Sequence, residues 1–598
     1  MGKRNAPGAD EQVRAHLRRL IRSFKAVTDP AAWRKQCAAL RRRGLNEVFL
    51  RGIPRAWRTA FPRVVWGKAF RPHPAYRVRR LRYEALPGYW IPALLYEPAL
   101  GKGRVPAVLN PNGHESGGKA VHYKQARCIN LARRGMLALS FEFMGMGELN
   151  ADAEHDNLAW FQLAGVSAAA PMYLAMKRGL DVLLAHARAD RRRVAMTGLS
   201  GGGWQTIVLS ALDPRITLSV PVAGYTGTPG KIDCLRDIGD IEQAPADQAA
   251  VVDYQDMTAM LAPRPALLIL NERDDCCFST EHAKPAIFDP VRPVYRAFGA
   301  AGRFECYSNR DPGTHNYDAD NRSQLYRFLN AHFGLATPVH DLHDPEEYLS
   351  EADTFAGLPA DQETLYSLAV KCCREACARL RAPKTAAQRR RLRAVLREIL
   401  RLPAYGEARG SGTGRLQLRA GPFTLPAKFV RPKGFESARL IVGEGEAIPN
   451  AATFKSEARL SADLLGLGKL RAHWGLQMLL DCGGERLLGH QVAQVLALAR
   501  WLARRCGVAR VDVDASGWMG SVAALLACAL EPRRFRSLRV MRLPYSLRML
   551  VERGVPYESA QSVFCLGLLE AADVPQLKAL LEGVRFEQPD RKVRSVTV

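Results

Sequence analysis

Gly198-Leu199-Ser200-Gly201-Gly202 sets one serine among small residues, directly after the apolar run Val194-Ala195-Met196-Thr197 and before a helical pattern over residues 204–212. A sharp strand-to-helix turn of this composition holds a hydroxyl exposed, and its glycines relieve the crowding. The N-terminus of the helix behind it favours developing negative charge. Ser200 is therefore the candidate nucleophile, and Gly198 and Gly202 form its elbow.

A serine hydroxyl attacks only when a base takes its proton, and that base needs an acid to orient it. The apolar run Ala266-Leu267-Leu268-Ile269-Leu270 ends in Asn271-Glu272-Arg273-Asp274-Asp275. Further on, Gly313-Thr314-His315-Asn316-Tyr317 forms a glycine-containing loop ahead of a helical pattern over residues 322–333. Serine, acid, histidine is the chain order expected after such an elbow. His315 is the candidate base and Asp274 the favoured acid. Asp275 stands as the alternative, unless it accepts local backbone hydrogen bonds instead.

A tetrahedral intermediate also needs two N–H donors. Gly201 supplies one, directly after the nucleophile. The backbone of His114, in Asn110-Pro111-Asn112-Gly113-His114, is the candidate for the other; its imidazole is not required. The loop Glu142-Phe143-Met144-Gly145-Met146-Gly147 is expected at the same edge, shaping the pocket. This chemistry needs neither a metal nor an organic cofactor.

The elements that must position these residues alternate. Residues 1–76 read as a helical segment, with Val13, Leu17, Leu20, Ile21 and Phe24 at helical spacing between arginines; such a stripe packs on its own protein more often than on a membrane. From residue 77 strand patterns take over, at residues 80–83, 91–96, 105–109, 136–143, up to Thr197, and 266–270, with helical patterns such as residues 168–187 between them. Alternation of this kind predicts an α/β domain over residues 77–335, its largely parallel sheet covered on both faces. Residues 336–412 read as a helical connector, with residues 364–402 rich in Ala, Leu and Arg.

Beyond residue 413 the first domain is echoed. Leu425-Pro426-Ala427-Lys428-Phe429-Val430-Arg431-Pro432 repeats the spacing of Ile91-Pro92-Ala93-Leu94-Leu95-Tyr96-Glu97-Pro98. Asp463-Leu464-Leu465-Gly466-Leu467-Gly468 repeats that of residues 142–147, and Ser516-Gly517-Trp518-Met519-Gly520-Ser521 that of residues 198–203. Echoes in the same order predict a second, smaller α/β unit over residues 413–598. Trp518 stands where Ser200 is expected, and no glycine–histidine loop follows the last strand pattern. This unit reads as one without a nucleophile.

Composition narrows the class. The 598 residues are 47% hydrophobic and 24% charged, as in an ordinary globular protein of more than one domain. No apolar run is long enough to span a bilayer. Lys+Arg of 86 against Asp+Glu of 59 leaves +27, but the basic residues are dispersed, and no nucleic-acid-binding motif accompanies them. The 13 cysteines are scattered, include the neighbours Cys276-Cys277 and Cys372-Cys373, and form no C-x-x-C pair. With no apolar leader after Met1-Gly2-Lys3-Arg4, the expectation is a cytoplasmic protein with reduced thiols.

The motifs together resemble the acetyl xylan esterase-like branch of the α/β-hydrolase superfamily, related to dienelactone hydrolases and prolyl-oligopeptidase-type domains. The resemblance is carried by Pro87-Gly88, Ile91-Pro92-Ala93, Leu95-Tyr96 and Pro98, the Asn112-Gly113-His114 and Gly145-x-Gly147 loops, the Ser200 elbow, Asp274-Asp275-Cys276-Cys277-Phe278 and His315. It implies an α/β-hydrolase fold and a serine esterase that cleaves a small-molecule or carbohydrate ester, such as acetyl xylan, through an acyl-serine. Glucuronoyl esterases usually carry an arginine behind the nucleophile; here Gly201-Gly202-Gly203 follows. An oligopeptidase-like peptidase or amidase, and a non-catalytic binding protein on a hydrolase fold, are the alternative expectations.

Overall fold

The computed structural model describes residues 7–99, 103–152, 154–443 and 456–589. The chain divides into two compact units: Ile21–Leu158 with Ser167–Leu368, and the residues up to Leu20 with Ala159–Val166 and Ala369–Val598.

The first unit is built on a nine-stranded sheet: β1 (Val64–His73), β2 (Tyr76–Leu86), β3 (Tyr89–Pro98), β4 (Val105–Pro111), β5 (Leu137–Phe141), β6 (Ala189–Leu199), β7 (Leu218–Val222), β8 (Ala266–Asn271) and β9 (Phe304–Asn309). Their order is β1-β2-β3-β5-β4-β6-β7-β8-β9. β1 to β3 form an antiparallel meander, β3 pairs antiparallel with β5, and β4 to β9 run parallel. Residue types follow that division. β8, Ala-Leu-Leu-Ile-Leu-Asn, is buried throughout, as a strand covered on both faces must be. In β2 the buried Tyr76, Val78, Leu81 and Tyr83 alternate with half-exposed arginines, because one face of the meander is wetter. Helices His122–Arg133, Ala170–Ala185, Gly201–Leu212 and Ala319–Phe333 cover the sheet. The connections reverse direction at β4, which lies between β5 and β6, and ligands of open parallel sheets bind outside the strand ends at such a reversal.

Two sequence boundaries move. Strand structure starts at Val64, inside the segment expected to be helical, because β1 is largely exposed and shows no apolar alternation. Residues 336–364, within the expected helical connector, form no helix longer than the single turns Pro345–Glu347 and Glu351–Thr354. This polar stretch, rich in Pro, Asp and His, lies across the first unit instead. Arg80 Nε donates to Asp353 O (2.6 Å), Arg82 Nη1 to Gly357 O (3.1 Å), and Gln362 pairs with both backbone groups of Trp90. Regular helices begin with Leu365–Arg379 and Ala386–Ile399.

The second unit carries β10 (Gly414–Ala420), β11 (Phe423–Val430), β12 (Ser437–Gly443), β13 (Glu457–Ala462), β14 (Val511–Ser516), β15 (Phe535–Met541) and β16 (Arg585–Glu587), in the order β10-β11-β13-β12-β14-β15-β16. This is the order of β2 to β8 strand for strand, with no counterpart of β1 or β9 among the described residues. The glycine loops match as well: Gly145 and Gly147 have φ of 77° and 57°, Gly466 and Gly468 of 81° and 51°. The N-terminal helix Ala9–Leu20 belongs to this unit, with Val13 and Leu17 fully buried, so its apolar stripe does pack on its own protein. Among the described residues no helix is long and apolar enough to cross a membrane.

Candidate active site

β6 ends at Leu199, and the helix Gly201–Leu212 begins one residue later. Ser200 turns the chain between them with φ 57° and ψ −122°, a left-handed conformation that costs a non-glycine residue about 1–3 kcal/mol. The surroundings hold it there: Ser200 N–H donates to Val222 O (3.0 Å), and Ser200 O accepts from the Trp204 N–H (2.9 Å). The glycines are present for close approach. A methyl group on Gly198 would lie 2.7 Å from Pro111 O, one on Gly202 2.6 Å from the same oxygen, and one on Gly203 2.5 Å from Val222 O.

The loop after β4 lies over this elbow. A methyl on Gly113 would lie 2.7 Å from Leu199 O and 3.0 Å from the Gly201 nitrogen. Gln205, one helical turn into the helix, donates Nε2–H to Asn112 O (2.8 Å), and Asn112 Nδ2 donates to Phe141 O (2.8 Å). The loop is thus tied both to the nucleophile's helix and to β5. Gly201, as the first residue of the helix, has no intrahelical acceptor for its N–H. His114 follows Gly113 beside it, its Nδ1 3.3 Å from where a methyl on Gly201 would sit. Phe143, from the loop after β5, meets the His114 ring edge to face at 5.0 Å. That loop is anchored by the buried Lys119, whose Nζ donates to Glu142 (3.0 Å) and also pairs with Glu148.

The candidate acid and base come from the loops after β8 and β9. His315 Nδ1 lies 2.9 Å from both oxygens of Asp274. Asp274 is positioned by three further donors: Asn271 Nδ2 (2.9 Å) and the backbone N–H groups of Cys276 and Cys277 (3.0 Å each). Asp275 points elsewhere, its Oδ1 accepting the His315 N–H at 2.8 Å. The histidine loop is held by Gly313, at φ 76°, whose N–H donates to Asn309 Oδ1 (2.8 Å) and whose O accepts the Arg273 N–H (2.9 Å).

Electrostatics follow from that pairing. Burial works to raise Asp274, but the hydrogen bond and charge of His315, with Asn271 and the Cys277 N–H, hold its carboxyl below the usual range. Burial works to lower His315, but Asp274 outweighs it, with Cys276 and Asp275 adding, and the imidazole is raised above 6.5. A carboxylate locked on Nδ1 favours the tautomer in which Nε2 carries the lone pair that could accept a proton.

The sequence did not single out Asn271, Gln205 or His155. Asn271 and Gln205 have polar side chains at unremarkable positions. His155 Nε2 donates to Met144 O at 2.7 Å, and its ring faces both Phe143 and His114. In the second unit one sequence reading is corrected. Gly517, not Trp518, occupies the turn between β14 and the helix Trp518–Leu530, at φ 72°. Trp518 is the first residue of that helix, in the place of Gly201.

Residues 67–228 match the family model of acetyl xylan esterases (AXE1), a stretch that runs from β1 past Ser200 and ends before Asp274 and His315. No curated protein sequence matches the chain. Among solved structures, the chain is similar to methylesterase BT1017 (22% identity, TM-score 0.45, covering 60% of this chain and 78% of that one). It is also similar to a putative acetyl xylan esterase from Bacteroides fragilis NCTC 9343 (19%, 0.41, 52% and 85%) and to a glucuronoyl esterase from Solibacter usitatus (15%, 0.41, 52% and 99%). Each likeness is distant, and none bears on substrate.

Proposed function

We propose that the chain is a serine carboxylic-ester hydrolase that removes acetyl groups from a carbohydrate, a reading supported by the match of residues 67–228 to the acetyl xylan esterase family model. The observation that supports it most is the pairing of His315 Nδ1 with Asp274, in the loops that follow the strained Ser200 turn in the expected chain order.

In this reading His315 Nε2 takes the Ser200 proton as Oγ attacks the ester carbonyl. Asp274 keeps the imidazole in the Nδ1–H tautomer and stabilises the imidazolium that forms. Negative charge on the carbonyl oxygen is met by the N–H groups of Gly201 and His114 and by the N-terminal end of the helix Gly201–Leu212. The proton passes to the leaving sugar hydroxyl, an acyl-serine remains, and water repeats the sequence to release acetate. Every step uses groups of the chain itself.

Acetate release from acetylated xylo-oligosaccharides and hydrolysis of 4-nitrophenyl acetate, each compared with Ser200→Ala, test this. The expected result is activity on both substrates that the variant lacks. Equal rates for the two proteins would overturn the esterase reading. Aryl-ester cleavage without acetate release from any acetylated oligosaccharide would overturn the carbohydrate assignment alone.

A further inference from the structure

Behind the Phe143 ring, four metal-binding side chains converge from three separate stretches of the first unit: His114 after β4, His155 in the β5–β6 crossover, and Asp240 and Glu242 between β7 and β8. One ligand atom from each lies within 4.8 Å of all the others. We propose that His114 Nε2, His155 Nδ1, Asp240 and Glu242 form a binding site for a divalent first-row transition-metal ion such as zinc, beside the Ser200 elbow.

Proton bookkeeping is the first argument. His155 Nε2 donates to Met144 O at 2.7 Å, which leaves a lone pair on Nδ1 in the neutral ring. A backbone carbonyl on the far nitrogen is the usual way in which a ligating histidine is oriented. That Nδ1 faces Glu242 Oε1 at 3.2 Å and Asp240 Oδ2 at 3.6 Å, so the ring meets the two carboxylates either with a second proton or with a cation between them. His114 Nε2 lies 2.9 Å from His155 Nδ1 and 2.8 Å from Asp240 Oδ2, and its single N–H can serve only one of them. Against burial, which lowers it, Glu242 and Asp240 hold His155 well above its ordinary range; the cluster thus calls for positive charge, and a divalent cation supplies it in place of the ring's second proton.

Burial is the second argument. The Glu242 side chain is 0% exposed, and its Oε2 has no hydrogen-bond partner among the described residues. A carboxylate so placed costs several kcal/mol unless a charge compensates it. His155 is 5% exposed, whereas His114 and Asp240 are about one-third exposed, which opens the site to solvent on one side as an entry path requires.

Spacing and donor type fit zinc. Zn–N and Zn–O bonds of about 2.0–2.1 Å give tetrahedral edges of about 3.3 Å, and the pairs above span 2.8–3.6 Å. Two imidazoles and two carboxylates form a donor set for zinc and its first-row neighbours rather than for calcium or magnesium. The second unit supplies an internal comparison. Counted back equally from the matching capping boxes at Asp253 and Asp573, the places of Asp240 and Glu242 are held by Ala560 and Ser562. The acidic pair accompanies the unit that has Ser200. Bound here, the ion holds the His114 loop against the elbow; that role rests on the esterase reading, whereas the binding does not.

The test uses the full chain, free of any histidine tag, stripped with a chelator and titrated with Zn²⁺ by calorimetry, and with Co²⁺ while visible d–d absorption is followed. One equivalent of tight binding and a tetrahedral Co²⁺ spectrum are expected. His155→Gln and Glu242→Gln should each weaken binding about tenfold or more, with circular dichroism checking that they fold. Asp240→Asn, at a partly exposed position, should do the same and remains informative if the buried variants unfold. No stoichiometric binding overturns the proposal. So does binding that persists in Asp240→Asn or Glu242→Gln, since the ion would then sit elsewhere, for example at Cys276, Cys277 and His315. None of these readouts depends on ester hydrolysis, so each reading can fail without the other.

Discussion

Asp274 and Asp275 are chain neighbours with divergent tasks: Asp274 presents both oxygens to His315 Nδ1 at 2.9 Å, and Asp275 takes the His315 backbone N–H at 2.8 Å. One carboxylate sets the ring; the other sets the loop that carries it. Asp274→Asn is therefore expected to lower kcat on 4-nitrophenyl acetate by about ten-thousandfold, since an amide can favour the wrong tautomer. Asp275→Asn keeps an oxygen acceptor and should cost less than about tenfold. The two kcat values, measured side by side, check the assignment. A larger loss in Asp275→Asn would reverse it.

The same pairing fixes a pH dependence. His315 is raised above its ordinary value of 6.5, because Asp274 outweighs the opposing effect of burial. Below that raised value the ring is protonated and cannot take the Ser200 proton, so kcat/KM falls as the pH drops through it. Removing the Asp274 charge leaves burial opposed only by the smaller effects of Cys276 and Asp275. The residual activity of Asp274→Asn should therefore show its acid limb at lower pH than the parent. Asp275→Asn should move the limb in the same direction by less, since Asp275 is the smaller contributor. Profiles of kcat/KM across the acid limb read both shifts directly.

Tight approach at the elbow makes a third expectation. A methyl on Gly202 would lie 2.6 Å from Pro111 O, and that backbone oxygen ends β4 just before the His114 loop. Gly202→Ala must then displace either the helix or the loop. Destabilisation by about 1–3 kcal/mol and a loss of about a hundredfold in kcat are expected together. Gly302→Ala, with no atom within 4 Å of the added methyl, is the control and should leave both unchanged. Thermal melts and ester kinetics on the pair test the steric argument.

What the sequence made legible was local or ordered. The Ser200 turn announces itself because a positive φ at a non-glycine residue needs small neighbours, and these stand beside it in the chain. Asp274 and His315, which the structure pairs at 2.9 Å, stand out by their order after strands with strong apolar runs. The sequence favours Asp274 over Asp275, but the geometry behind that choice is not legible in it: Asp274 is held toward His315 by Asn271 and the Cys276 and Cys277 N–H groups, while Asp275 accepts the His315 backbone N–H. β1 was missed because an exposed edge strand needs no alternation. His155, Asp240 and Glu242 carry no motif at all, for they converge from separate crossovers of one sheet. In the second unit the spacing of the echo sets Trp518 opposite Ser200, whereas the backbone turns at Gly517.

That shift bears on whether the second unit can be awakened. Gly517 sits at φ 72° and ψ 166°, against 57° and −122° for Ser200, so a side chain introduced there would leave a differently shaped turn. The described residues behind it differ as well: no strand among them corresponds to β9, and none of them after His490 is a histidine. Without a general base a serine hydroxyl is a weak nucleophile at neutral pH. In a Ser200→Ala background, Gly517→Ser and Trp518→Ser should both remain inactive on aryl esters and unlabelled by a fluorophosphonate. In the parent chain, peptide mapping should place the whole label on Ser200. Label recovered on a peptide containing residue 517 or 518 of either variant would show that the second unit retains a usable base, and the argument from the missing β9 loop would fail.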